Sequence, residues 1–143
     1  MTKILFVCIH NSARSQMAEA FVNNAGLENV KAESAGIEKG NLNSVVVDAM
    51  KEIGIDISQN KTNTVQEKIN SGIYYDYVIT VCDQASGERC PIFPGDQYKR
   101  LHIEFEDPSA FQGTYEEKFE FSRKVRDQIK VKMDEFIKEL QVK

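Results

Sequence analysis

The hydrophobic positions along this chain divide it into segments with strand character and segments with helical period. Residues 3–7 form a continuous apolar run, KILFV, which is typical of a strand buried within a parallel sheet. Residues 30–35 and 77–81 predict two further strands, and residues 98–103 predict a fourth. Each run is short enough to be a single strand.

Helical patterns fill the intervals between these strands. The first helix follows the first strand and stops near Gly26, and a second begins at a cap formed by Asn43 or Ser44. A weaker helix covers residues 63–71, and a long amphipathic helix starts at Tyr115. The apolar positions at helical spacing are Met17, Ala18, Phe21, Val22 and Ala25 in the first helix, and Val46, Met50 and Ile53 in the second. This alternation predicts a three-layer α/β fold, with a four-stranded parallel sheet flanked by helices, in a single domain over residues 1–143.

Composition narrows the class of protein. The chain has 143 residues, of which 41% are hydrophobic and 28% charged, as in ordinary globular domains. A net charge of −4 argues against a general nucleic-acid binder. No apolar run approaches the roughly 20 residues of a membrane helix, and the N-terminus lacks a signal-type apolar core. We therefore expect a cytoplasmic protein with no nucleic-acid or membrane partner, and a monomer, since no obligate apolar interface is indicated.

A cysteine and an arginine frame the turn between the first strand and the first helix. Residues 8–15 read Cys-Ile-His-Asn-Ser-Ala-Arg-Ser, so five residues separate Cys8 from Arg14. Backbone N–H groups of such a turn point at a tetrahedral anion, and an arginine fork grips it. A thiol in this positive environment reacts as a nucleophilic thiolate. The residues predicted to surround the oxyanion are Ile9, His10, Asn11, Ser12, Ala13, Arg14 and Ser15.

Each of these residues also has a plainer interpretation. Cys8 alone would fit a buried structural thiol, but Arg14 at a helix start opposes the helix dipole and implies an anion. Asn11 is predicted to be left-handed. Ser12 and Ser15 are either site hydroxyls or helix caps, with Ser15 close enough in sequence to reach the thiolate.

An acid follows the fourth predicted strand. Asp107, before Pro108, is placed to protonate a leaving oxygen, although an Asp-Pro pair also starts ordinary turns. The two histidines, His10 and His102, are interpreted as an outward loop residue and a structural strand residue. Neither has metal-ligand spacing with the cysteines, so no metal site is predicted.

Two more cysteines bear on the fate of a Cys8 adduct. Cys82 ends the third predicted strand, at the same sheet edge as Cys8, and Cys90 follows after seven residues that are mostly polar. A pair of thiols beside a reactive thiolate suits serial thiol–disulfide exchange. The alternative is that Cys82 and Cys90 are incidental.

Residues 7–20, Val-Cys-Ile-His-Asn-Ser-Ala-Arg-Ser-Gln-Met-Ala-Glu-Ala, resemble the phosphate loop of thioredoxin-coupled arsenate reductases. These enzymes share the low-molecular-weight protein tyrosine phosphatase fold. The resemblance covers essentially the whole chain, because further motifs follow in the family's order: Ser34-Ala35-Gly36, Thr80-Val81-Cys82-Asp83, Cys90-Pro91 and Phe105-Glu106-Asp107-Pro108.

The resemblance implies a role for each cysteine. Cys8 would attack arsenate, Arg14 would bind its oxygens, and Asp107 would protonate the departing hydroxyl. Cys82 would attack Cys8 and release arsenite, and Cys90 would resolve the resulting disulfide. The final Cys82–Cys90 disulfide would be reduced by thioredoxin, with no tightly bound cofactor.

The resemblance also implies that Ser15 and Asn11 stabilise the thiolate and the loop. Some members bind potassium near this loop. Asn11, Glu19 and Ser34 match the ligands of that ion, whereas its acidic ligand near Thr64 is missing from this sequence. The match to a potassium site is therefore incomplete.

Two departures separate the chain from the phosphatase branch, which resembles Cys-x-Gly-Asn-x-Cys-Arg-Ser with tyrosines after Asp-Pro. Here Ala13 replaces the second cysteine, and residues 109–111 are Ser-Ala-Phe. Both favour the reductases, although Cys82 and Cys90 are one residue further apart than in some of them.

Three functions follow from these residues. Arsenate reduction is the first and uses all three cysteines. A phosphatase acting on phosphotyrosine or small phosphate esters is the second, through a Cys8 phosphocysteine with Asp107 as acid, and weak phosphatase activity is compatible with the first. The third is a non-enzymatic module that binds an oxyanion or arsenite. Only reduction requires Cys82 and Cys90.

Overall fold

A computed structural model of the chain describes residues 1–83 and 98–142. Its four strands are β1 (Thr2–Cys8), β2 (Val30–Gly36), β3 (Tyr77–Thr80) and β4 (Lys99–His102). They form one sheet in the order β2-β1-β3-β4, and every neighbouring pair is parallel. The predicted four-stranded parallel sheet is confirmed, with β1 between β2 and β3.

The helices lie where the apolar periodicity predicts them. They are α1 (Arg14–Asn23), α2 (Ser44–Glu52), α3 (Val65–Asn70) and α4 (Tyr115–Val142), together with a short 3-10 helix at Pro108–Ala110. Asn43 caps α2, since its side-chain oxygen accepts hydrogen bonds from the second and third helical N–H groups. Two predicted core positions are wrong: Ala25 and Ile53 lie beyond the last turns of α1 and α2, and both are exposed.

Side chains of β1 alternate between two apolar layers. Ile4 and Phe6 belong to the larger cluster, which contains the buried faces of α1, α2 and α4. Leu5 and Val7 belong to a second cluster on the opposite face of the sheet, against which Val65 of α3 packs. Helices therefore cover both faces, which confirms the three-layer arrangement.

Parallel pairing places the carboxyl ends of all four strands at one edge of the sheet, which is where open α/β sheets bind ligands. Cys8 is the last residue of β1, and Val7 lies opposite Thr80, the last residue of β3. Cys82 follows β3 by two residues and Asp107 follows β4 by five. The fold thus brings three of the predicted site residues to the same edge.

Candidate active site

The loop between β1 and α1 turns its carbonyl oxygens outward. Four of them accept hydrogen bonds from backbone N–H groups of the segment after β2: Cys8 from Ile37 (3.2 Å), Ile9 from Glu38 (3.0 Å), His10 from Gly40 (3.1 Å) and Ser12 from Asn43 (3.0 Å). In a trans peptide unit the C=O and the following N–H point in opposite directions. Each outward carbonyl therefore turns one N–H inward, so the loop becomes a ring of donors suited to an anion.

The Cys8 thiol lies within this ring and is 3% exposed. Its Sγ accepts a hydrogen bond from the Asn11 backbone N–H at 3.1 Å and lies 2.9 Å from Ser15 Oγ. Ser15 Oγ already accepts from Asn11 Nδ2 at 2.8 Å, so the hydroxyl proton is free to point at the sulfur. Two donors on one sulfur favour its thiolate form.

Asn11 takes the left-handed conformation predicted for it, with φ of 57°. Its side-chain oxygen accepts from the Asn63 backbone N–H at 2.8 Å, and Gln16 Nε2 donates to its backbone oxygen at 3.1 Å and to its Oδ1 at 3.2 Å. These bonds turn the Asn11 Nδ2 group towards Ser15. Gln16 is thus a site residue that sequence reasoning missed, because a glutamine in a first helical turn is ordinarily exposed, whereas this one is 1% exposed.

Gly36 makes room for the loop at the end of β2. A Cβ atom at this position would lie 2.7 Å from both Asn11 N and Ile9 O, and 2.8 Å from His10 C. All three are backbone atoms, so none moves without moving the loop. Glycine is required here by the close approach of two backbone segments.

Arg14 is the first residue of α1, as predicted, and is 3% exposed. Its Nη1 donates to Phe105 O at 3.0 Å and to Val81 O at 3.5 Å. Its Nη2 lies 3.6 Å from Asp107 Oδ2. The guanidinium group is held by carbonyl oxygens from the ends of two other strands, which fixes it beside the loop.

Asp107 lies close to this guanidinium group and also caps the 3-10 helix. Its Oδ1 accepts from the Ser109 N–H at 2.9 Å, while Oδ2 faces Arg14. The turn interpretation and the acid interpretation of Asp107 therefore coexist: one oxygen is a cap and the other points into the site.

The capping alternative for the loop serines is wrong. The residue that caps α1 is Ala13, which supplies no side-chain hydrogen bond. Ser12 Oγ instead lies 3.1 Å from Ser109 Oγ, and Ser15 is inside the helix against the thiol. His10 is exposed and lies 3.8 Å from Glu38, as expected of an outward loop residue.

The second cysteine is close to the first in the sheet. The Val81 N–H donates to Val7 O at 3.0 Å, which extends the β3–β1 pairing up to the residue before Cys82. Cys82 is fully buried and disulfide-bonded, whereas Cys8 is a free thiol. Cys90 lies outside the described residues. His102 forms a 2.6 Å contact with Thr80 Oγ1 on the neighbouring strand.

Glu19 and Ser34 form a buried pair behind the loop. Ser34 Oγ donates to Glu19 Oε1 at 3.0 Å. Burial raises the pKa of Glu19, while the Ser34 hydrogen bond and the charge of Lys68 oppose this rise. Asn11 Oδ1 already accepts two hydrogen bonds from the protein. The described oxygens do not complete a potassium shell, and no chemical step below uses one.

Comparisons with known proteins agree with this geometry. The family model described as low molecular weight phosphotyrosine protein phosphatase matches residues 3–143. The arsenate reductase of Bacillus subtilis (strain 168) is 43% identical over 133 residues, which cover 93% of this chain and 93% of that protein.

Two solved structures share the fold over nearly the whole chain. An arsenate reductase in the phosphate-binding state is 28% identical, with a TM-score of 0.75, over 97% of this chain and 98% of that one. The thioredoxin-dependent arsenate reductase of Corynebacterium glutamicum is 26% identical, with a TM-score of 0.68, over 99% of this chain and 63% of that one. Within residues 1–83 and 98–142, no helix is long and apolar enough to cross a membrane.

Proposed function

This chain belongs to the low molecular weight phosphotyrosine protein phosphatase family, in its arsenate reductase branch, and on that premise we propose that it reduces arsenate to arsenite in arsenic detoxification. One observation carries the proposal. A buried free thiol, Cys8, lies under inward-facing N–H groups and beside Arg14, while Cys82 follows the neighbouring strand at the same sheet edge.

The first step joins arsenic to the protein. The loop N–H groups and the Arg14 fork bind the arsenate oxygens, and the Cys8 thiolate attacks arsenic to form an S–As bond. One As–O bond breaks, and Asp107 gives a proton from Oδ2 to the leaving hydroxyl, which departs as water. Arsenic remains As(V) in this adduct.

The second step transfers two electrons. The Cys82 thiolate attacks the Cys8 sulfur, so an S–S bond forms and the S–As bond breaks. The electron pair of that bond stays on arsenic, which leaves as As(III), and the two sulfurs are oxidised together.

The third step frees the nucleophile. Cys90 attacks the Cys82 sulfur, the Cys8 thiolate departs, and the disulfide now joins Cys82 and Cys90. A thioredoxin dithiol then reduces it by the same exchange chemistry. The free thiol at Cys8 and the disulfide-bonded state of Cys82 support this final arrangement, although Cys90 itself lies outside the described residues.

A phosphatase is the second candidate, because the Cys8, Arg14 and Asp107 geometry also suits phosphoryl transfer. Phosphate would form a Cys8 phosphocysteine that water hydrolyses, with Asp107 as the acid. Ser109 follows the Asp-Pro pair where the phosphatase branch carries tyrosine. We therefore propose that any phosphatase activity is weak.

The proposal fixes the partners. Thioredoxin is the electron donor, arsenate or a phosphate-like oxyanion is the ligand, and no tightly bound cofactor is needed. We place the protein in the cytoplasm, where thiols are kept reduced, as a monomeric single domain without nucleic-acid or membrane partners.

The test is NADPH oxidation in a mixture of the protein, arsenate, thioredoxin and thioredoxin reductase. We expect arsenate-dependent NADPH consumption by the wild-type protein and none by Cys82→Ser, since that variant stops after the Cys8 adduct. Glu104→Gln changes a carboxylate near the same sheet edge that has no role in the relay, and it should keep wild-type turnover.

Other outcomes separate the alternatives. Continued arsenite release over many turnovers by Cys82→Ser would refute the relay. Hydrolysis of p-nitrophenyl phosphate without arsenate-dependent NADPH consumption would identify a phosphatase. Tight arsenite binding without either turnover would identify the non-enzymatic module.

A further inference from the structure

The hydroxyl of Ser109 connects three segments that are far apart in the sequence. Its Oγ lies 3.1 Å from Ser12 Oγ in the loop after β1 and accepts a hydrogen bond from Asn43 Nδ2, the cap of α2, at 3.0 Å. Asn43 in turn donates its backbone N–H to Ser12 O at 3.0 Å. The three residues therefore close a ring, which we call the serine–asparagine link.

The donors and acceptors of this link are fully matched. Asn43 Oδ1 is occupied by the N–H groups of Val45 and Val46, so its Nδ2 group is oriented towards Ser109. Because an amide NH₂ only donates, Ser109 Oγ acts as the acceptor and retains its own proton for Ser12 Oγ. Each group has one role, so the link has a defined geometry.

The backbone of Ser109 holds the acid as well. Its N–H donates to Asp107 Oδ1 at 2.9 Å, which leaves Oδ2 facing Arg14 at 3.6 Å. The residue that orients the Asp107 carboxyl group is thus the same residue whose hydroxyl is bound to the oxyanion loop through Ser12.

From this coincidence we infer that Ser109 is a positioning residue: its hydroxyl holds the acid segment against the oxyanion loop, so that the Asp107 Oδ2 proton meets the leaving oxygen of a bound anion. The inference rests on the proposed function, because it concerns the acid that the first step uses. A role in stability alone does not explain the link, since the Asn43–Ser109 bond is solvent-exposed and such bonds contribute little to folding.

The test compares Ser109→Ala with Ser109→Thr, which keeps the hydroxyl, and with Ser71→Ala. Ser71 is a matched control because its hydroxyl bonds only a nearby backbone oxygen at the end of α3. We expect the single-turnover rate of Cys8 adduct formation with arsenate to fall about 10-fold in Ser109→Ala, since misplacing a general acid forfeits part of its contribution. Ser109→Thr should restore most of it, and Ser71→Ala should match the wild type.

Two measurements distinguish positioning from general damage. Inorganic phosphate should protect Cys8 from iodoacetamide with an affinity within about twofold of the wild type, because the loop itself is intact. In an Asp107→Asn background, Ser109→Ala should slow the reaction by less than about twofold, because the acid through which it acts is already gone. An equal, 10-fold loss in both backgrounds would overturn the inference.

Hydrogen exchange reports on the link without any turnover. The amides of residues 109–111 are bonded within the acid segment, and they should exchange at least about fivefold faster in Ser109→Ala, with α4 unchanged. Unchanged exchange would overturn the inference. A wild-type protein without arsenate turnover would refute the proposed function instead, and the exchange result alone would then decide the link.

Discussion

Gly36→Ala tests whether the oxyanion loop depends on close backbone packing. The added Cβ would lie 2.7 Å from Asn11 N and Ile9 O, whereas ordinary contacts begin at 3.4 Å. Relief of the clash requires the loop to retreat by about 0.7 Å, and a misplacement of this order costs up to about 100-fold in rate. The retreat also pulls the Asn11 N–H away from Cys8 Sγ, which it now approaches to 3.1 Å.

We expect kcat/KM for arsenate to fall about 100-fold and the affinity for phosphate, measured by protection of Cys8 from iodoacetamide, to fall in parallel. Overpacking should also cost about 1–3 kcal/mol of folding stability. Gly72→Ala is the matched control: φ at Gly72 is 70° and nothing lies within 4 Å of the new Cβ. It should lower stability by about 1–2 kcal/mol through left-handed strain but leave phosphate binding intact. Wild-type phosphate affinity in Gly36→Ala would refute the reasoning.

The remaining predictions concern three other side chains. Arg14→Lys replaces the buried fork by a point charge, so phosphate protection of the nucleophilic thiol should weaken about 10- to 100-fold at unchanged far-UV circular dichroism. Gln16→Leu strands the buried partners of its carboxamide, and denaturant unfolding should show a loss of about 2–3 kcal/mol. Burial raises the pKa of Glu33, but hydrogen bonds from Tyr75 and Lys68 outweigh this and hold it below its ordinary value of 4.5. The stability that Glu33 adds is therefore present above pH 4.5 and lost as the pH falls through the lower folded value, so Tm should drop more steeply on acidification in the wild type than in Glu33→Gln.

The strands and the reactive loop were predictable because their determinants are local. Apolar runs mark β1 and β3, and the tolerance of asparagine for positive φ marks Asn11. The order β2-β1-β3-β4 was not predictable from these runs, since strand pairing depends on contacts between residues far apart in sequence.

The positioning of the site was less visible in the sequence for the same reason. Ser12 looks like a helix cap locally, but its hydroxyl partner, Ser109, is 97 residues away. Gln16 carries no local sign of burial, although its carboxamide joins the oxyanion loop to Lys61 O. Gly36 looks like the end of a strand, and only the folded approach of the loop shows why no side chain fits there.

Mass spectrometry of one reaction cycle tests the three-thiol relay most directly. The fully reduced protein is mixed with one equivalent of arsenate, quenched with acid, alkylated and digested. The relay predicts one arsenite released per protein, an alkylated Cys8, and a Cys82–Cys90 disulfide. Arsenite release with Cys82 and Cys90 both alkylated, or a protein that leaves arsenate unreduced with all three thiols alkylated, would contradict it.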